Sequence, residues 1–214
     1  MDIKKQIDDL LSKHKSLSYI EEKNIIVGKL LVPENDFYEV SIDLSPYPSR
    51  FPNVEETAER IPKKANRHIY TDTGTCCFTT LAKSQILLKT KVKSLDSFIK
   101  LIVIPYFENN SYFEINKKYF TDEYSHNISG VLEGYKDILG LDNNYKIITV
   151  IYDRLTNNEA KYQRKCYCGG TKQLRKCNNG KHFKYYNKLK LIESNTLDTD
   201  LTNILEFLKN NILF

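Results

Sequence analysis

Five cysteines carry most of the chemistry on offer in this 214-residue chain: an adjacent pair, Cys76 and Cys77, and a later group, Cys166, Cys168 and Cys177. A thiolate attacks activated carbonyl carbons and binds borderline-soft metals such as zinc. An odd number of cysteines grouped this way does not read as a disulfide framework, which leaves nucleophilic chemistry and metal binding as the leading uses. The pair lies in His68-Ile69-Tyr70-Thr71-Asp72-Thr73-Gly74-Thr75-Cys76-Cys77-Phe78, directly after a stretch containing Pro46, Pro48, Pro52 and Pro62. In the later group, Cys-x-Cys spacing sets two thiolates on one edge of a metal. Gly169 and Gly170 follow and let backbone amides fold around sulfur.

The elements that must position these groups are read from hydrophobic spacing. Ile3, Ile7, Leu10 and Leu11 have helical periodicity and predict an N-terminal amphipathic helix. Ile25 to Val32 is aliphatic and ends at the turn-like Pro33-Glu34-Asn35-Asp36. Tyr38, Val40, Ile42 and Leu44 then alternate with polar residues, which predicts a hairpin. The four prolines keep residues 45–62 extended, with a short edge strand at Val54 to Thr57. Ser94 caps a predicted helix carrying Leu95, Phe98, Ile99, Ile102 and Val103, which Pro105 is expected to stop. A second helix is expected from Ile128 to Leu139 before Gly140, then a strand from Tyr145 to Tyr152, and a polar linker from Thr156 to Arg164. Leu201, Ile204, Leu205, Leu208 and Ile212 predict a terminal helix starting near Asp198 or Thr199. The sum is an α+β chain.

With 41% hydrophobic and 12% aromatic residues, the chain can bury one medium core and still carry a small accessory module. It has no apolar run long enough to cross a bilayer. Its first residues, Met1-Asp2-Ile3-Lys4-Lys5, lack the apolar centre of a signal peptide, so the expected location is cytoplasmic and no membrane partner is expected. The net charge of +5 is unevenly placed: residues 161–192 hold ten Lys or Arg and no Asp or Glu. Such a block is a solvated face or a docking surface for an acidic protein or nucleic acid.

Tyr47-Pro48-Ser49-Arg50-Phe51-Pro52-Asn53-Val54 resembles the Tyr-Pro-x-x-x-Pro-x-Val signature of ubiquitin-conjugating enzymes, and Asp72 to Phe78 resembles their Asp-x-Gly-x-Ile-Cys-Leu segment around the active cysteine. Arg60-Ile61-Pro62, His68 and Glu123-Tyr124-Ser125-His126 are similar to strings in the bacterial branch of that family. The resemblance covers roughly residues 3–155 and implies a ubiquitin-conjugating-enzyme-like domain over 1–155: an N-terminal helix, an antiparallel meander sheet and C-terminal helices. Aligned on Gly74, it implies that Cys77 is the nucleophile and that Cys76 fills the preceding apolar position. The family's oxyanion-supporting Asn has no counterpart here, since Ile69 stands eight residues before Cys77. His68 or Asn66 is the substitute, each able to donate a hydrogen bond. His126 is a further site candidate that also suits a helix cap.

Cys166-Tyr167-Cys168-Gly169-Gly170 through Lys176-Cys177 resembles the SEC-C metal motif, which implies a structural zinc knuckle over residues 160–185, followed by an extension over 186–214 with the terminal helix. The fourth ligand normally follows the third cysteine, where Asn178 stands; His182 is the nearest replacement. Cys166, Cys168, Cys177 and His182 would close a tetrahedral site with no open position.

The function these resemblances imply is that of a cysteine-dependent acyl transferase of the ubiquitin-conjugating type. It would form a thioester through Cys77 with the C-terminus of a partner in bacterial antiphage defence. Relatives in operons of the CBASS type act on a cGAS-like nucleotidyltransferase, others on a ubiquitin-like protein with an activating enzyme in trans. The alternatives are an inactive binding module on the same fold and a zinc-knuckle nucleic-acid binder.

Overall fold

The computed structural model describes residues 2–121 and 124–212, the last of these by its backbone alone; Glu123 of the Glu-Tyr-Ser-His string lies outside them. The chain forms two compact units, one from Met1–Phe78 with Leu87–Glu123 and the other from Thr79–Ile86 with Tyr124–Phe214.

The first unit opens with helix α1, Ile3–Lys13, capped where the Asp2 carboxylate accepts from the Lys5 N–H at 3.1 Å, and it buries Ile7 and Leu10. A four-stranded antiparallel sheet follows in the order β1 Leu17–Ile20, β2 Ile25–Val32, β3 Asp36–Asp43 and β4 Asn53–Glu56. The β2–β3 hairpin is the one the alternation predicts, with Leu30 opposite Tyr38 and Ile26 opposite Ile42. Strand β1 was not foreseen: it is four residues long, and its pairing requires Gly28, where a Cβ would stand 2.2 Å from the Ser16 carbonyl oxygen.

Helix α3 (Leu95–Phe98) runs through a π turn at Ile99–Val103 into α4 (Ile104–Asn116). Pro105 therefore does not stop the helix. The wider turn sends the Ile104 N–H to the Ile99 carbonyl, so the proline ring sits at the start of a new ladder instead of clashing inside an old one. These helices and α1 pack on one sheet face, where Ile26, Leu30, Tyr38, Val40, Ile42 and Val54 meet Leu10, Phe98, Val103 and Phe107. Tyr38 stacks on Phe107 at 4.3 Å between ring centroids. The Gln6 amide oxygen ties three segments together, accepting from the Tyr47 hydroxyl and the Leu95 N–H at 2.9 Å each.

The second unit is helical: part of α2 (Leu81–Thr90), then α5 (Asn127–Leu139), α6 (Asn144–Leu155), α7 (Lys181–Leu189) and α8 (Ser194–Ile212). The strand expected over Tyr145 to Tyr152 is α6 instead. Its β-branched run favours a strand locally. However, Ile147, Val150 and Ile151 are buried at helical spacing and Asn143 caps the Lys146 N–H at 2.9 Å, so packing overrides propensity. The expected linker over Thr156 to Arg164 is also structured. A 3-10 helix at Glu159–Gln163 buries Tyr162, whose hydroxyl donates to Asp153 at 2.5 Å. Helix α8 begins at Ser194, four residues ahead of the expected Asp198, and α7 was not foreseen. The chain is α+β, as its pattern indicates, and among the described residues no helix is long and apolar enough to cross a membrane.

Candidate functional site

Cys77 ends a short extension of the sheet. The Cys76 N–H donates to the Val54 carbonyl at 2.7 Å, and bridges pair Thr75 with Glu55 and Cys76 with Ile69. The segment 75–77 thus continues past β4 and pairs on its far side with 68–70, closed by a turn in which Gly74 adopts φ +77°. Extended backbone alternates its side chains between faces. Cys76 and Ile69 enter the core at 6% and 3% exposure, while Cys77 and His68 sit on the opposite side, both partly exposed.

Burial pushes the Cys76 thiol up to about 12, outweighing the hydrogen bond that the Tyr106 hydroxyl donates to its sulfur, so it stays protonated. Beside Cys77 stands Tyr70. Tyr70 is half-exposed, and partial desolvation together with its interaction with Cys77 raises its pKa.

His68 meets Cys77 through its backbone: its carbonyl accepts from the Cys77 N–H at 2.7 Å and from the Tyr106 hydroxyl at 3.0 Å. Its φ of 51° caps the 3-10 turn Ala65–Arg67. Its ring lies edge-on to Tyr119 at 5.6 Å. The Cys77 amide is therefore engaged and not free to donate elsewhere. Asn66 is exposed on the same turn, and its carbonyl accepts from the Tyr119 hydroxyl at 3.1 Å. His126 belongs to the second unit, at the N-cap of α5, without a capping hydrogen bond from its side chain. Tyr70 and Asp72 are the loop residues that the sequence offers as shaping the approach to Cys77, and of the two it is Tyr70 whose hydroxyl interacts with the sulfur. Its signal was its register, on the same face as Cys77.

The second cluster is fully assembled within its own unit. The ligand atoms of Cys166, Cys168, Cys177 and His182 lie within 4.8 Å of one another. Cys168 Sγ is 3.6 Å from Cys177 Sγ, and Cys166 Sγ is 3.2 Å from His182 Nδ1. Ligands at tetrahedral angles with bonds of about 2.3 Å stand about 3.8 Å apart, so a single ion fits among them. Cys166 and Cys177 are buried, and His182 is 8% exposed.

The local chain explains the assembly. Gly169 takes φ +85° and returns its N–H to the Cys166 carbonyl at 3.0 Å, and the Lys172 carbonyl receives the Cys166 N–H at 2.9 Å. Burial raises the Cys166 thiol to about 12. Cys168 moves the other way: burial opposes ionisation, but the Gly170 N–H, the other two thiols and Lys146 together prevail and lower its pKa. Burial also lowers His182, favouring the neutral imidazole that ligates metal. Asn178, which stands in the motif's usual ligand position, instead contacts His182 Nε2 at 3.4 Å. Were Nδ1 to hold an ion, Nε2 would carry the proton, and the Asn178 amide, rotated to present its oxygen, would accept from it and orient the ring.

Comparison with family models, curated proteins and solved structures returns no match for this chain. The two clusters therefore carry the functional reading by their own geometry.

Proposed function

We propose that the chain is a ubiquitin-conjugating-enzyme-like acyl carrier that holds a partner's C-terminus as a thioester on Cys77, with a structural zinc ion bound by Cys166, Cys168, Cys177 and His182. One observation carries this reading. Of two adjacent cysteines in a motif similar to that family's, the pleat turns Cys76 into the core and leaves Cys77 partly exposed beside a neutral hydroxyl. The order of α1, a four-strand meander and a cysteine segment paired to β4 supports the same fold assignment.

In the proposed step the Cys77 thiolate attacks the carbonyl carbon of an incoming thioester. The tetrahedral oxyanion collapses, the C–S bond to the donor breaks, and the donor leaves as a thiolate. An amine or a second thiol then takes the acyl group from Cys77. His68 and Asn66 are the candidate donors to the oxyanion, and His126 is a further site candidate. No strong base beside sulfur is required, because the acyl group arrives activated. The partner is a cGAS-like nucleotidyltransferase or a ubiquitin-like protein in bacterial antiphage defence, with activation supplied in trans in the cytoplasm. The zinc is structural, since four protein ligands leave no open position.

The test is an adduct assay. Purified protein is mixed with the tail-bearing partner, the activating enzyme and ATP, then resolved without and with reductant. The expected result is a reductant-sensitive adduct that is lost in Cys77→Ala, retained in Cys76→Ala, and made reductant-resistant by Cys77→Ser. An adduct that survives Cys77→Ala, or none with either partner class, overturns the proposal in favour of a binding module.

A further inference from the structure

The second unit carries an open cleft of about 660 Å³ that the thioester chemistry does not use. One wall is α6, which contributes Thr149 and Asp153; the other is the segment after it, which contributes Lys161, Tyr162, Arg164 and Lys165. Asp153 is 2% exposed and already engaged, by Lys161 at 2.7 Å and by the Tyr162 hydroxyl at 2.5 Å. Its charge is therefore compensated inside the wall. Arg164 and Lys165 are exposed and have no acidic partner among the described residues. Their charge is available to a ligand.

The rim of the same helix is unusual. Tyr145, Thr149 and Tyr152 recur at i, i+4 and i+7 and so share one stripe of α6, with Thr149 in the cleft wall. Tyr145 is 78% exposed and Tyr152 55%. The two rings stand in water one turn before and one turn after Thr149, beyond the residues that line the cleft itself. They have the form of platforms for flat, aromatic ligand groups. The surrounding chain adds to the positive field, with no Asp or Glu from 161 to 192.

We propose that this cleft binds single-stranded nucleic acid, with Arg164 and Lys165 on phosphates and Tyr145 and Tyr152 stacking on bases. An acidic peptide would use the cations but gain nothing from two exposed rings, whereas a single strand presents phosphates and π-faces alternately. A duplex hides its base faces and cannot stack on them. The inference does not depend on the role of Cys77.

The experiment is fluorescence anisotropy of the full, zinc-loaded chain with a labelled 20-nucleotide oligo-U, titrated across salt concentrations. Binding is expected with a log–log salt slope of about −1.4 to −2.1, as two or three phosphate contacts require at about −0.7 each on a single strand. Tyr145→Ala and Tyr152→Ala are each expected to weaken binding roughly tenfold. The double variant Arg164→Glu with Lys165→Glu should do at least as much and flatten the slope. Lys4→Glu with Lys5→Glu, on α1 of the other unit, changes net charge equally and should stay within about twofold. All these positions are exposed, and melting curves will show that the variants fold. Equal losses from the cleft and α1 variants, tyrosine variants that bind as the parent does, or tighter binding of a polyglutamate peptide than of oligo-U would overturn the proposal.

Discussion

Cys76 and Cys77 are covalent neighbours on opposite faces of one extended segment: the first is 6% exposed within the core of the first unit, the second opens toward Tyr70. That difference of one position along the strand separates a buried thiol from a partly exposed one.

Thiol reactivity should follow the same division. At pH 8, iodoacetamide treatment of the zinc-loaded protein followed by peptide mapping is expected to label Cys77 well before Cys76, whose thiol burial holds near 12. Tyr70→Phe removes the hydroxyl that meets Cys77 and should change the labelling rate at Cys77 without altering the melting temperature. Preferential labelling of Cys76 would contradict the assignment of faces.

Metal content gives a second test. Elemental analysis should find about one zinc per chain, and Cys168→Ser or His182→Ala should reduce this severely and lower the melting temperature, because binding energy at such a site is folding energy. Asn178→Ala leaves all four ligands in place but frees the His182 ring, and a chelator competition should show metal affinity reduced about 10-fold. A zinc-free chain with unchanged melting would refute the site.

Arg60 provides a pH-dependent prediction in the first unit. Its guanidinium forks onto both Asp36 carboxylate oxygens at 2.7 Å, reaches Glu114 at 2.8 Å and lies 4.2 Å over the Tyr38 ring. That bond to Arg60 holds the Asp36 pKa down to about 2, against an ordinary 3.8. A depressed carboxylate stabilises the fold at pH above its unfolded value, and the stabilisation fades as pH falls through the folded value. Arg60→Ala should therefore cost about 1–3 kcal/mol at neutral pH. In urea titrations the gap between parent and variant should shrink between about pH 4 and pH 2.

Gly130 reverses the usual helix preference. Alanine ordinarily favours a helix over glycine by about 1 kcal/mol. Here an added Cβ would lie 1.8 Å from the Ser125 carbonyl oxygen, a backbone atom with little room to move. Gly130→Ala is expected to destabilise by about 1–3 kcal/mol in thermal melts. Gly134→Ala, which meets only the Thr80 side chain at 3.1 Å, should cost less.

Much of this protein was legible in its residues. Alternation at Tyr38, Val40 and Ile42 specified a half-buried strand, and Gly140, with φ +63°, marked the end of α5. Cys-x-Cys followed by glycines marked a candidate metal site, and its three thiols and His182 do converge. These signals are local: each depends on a periodicity or a backbone preference that acts within a few residues.

Other features depended on contacts made far along the chain. The run Ile147-Ile148-Thr149-Val150-Ile151 favours a strand in isolation and becomes a helix because packing rewards burial of its 147, 150 and 151 positions together. A π turn ahead of Pro105 let one helix continue where the sequence called for a stop. The faces of Cys76 and Cys77 were fixed only by pairing with Val54 and Ile69, since a strand's register, and with it which side chain turns to the core, is set by its neighbours and not by its own residues.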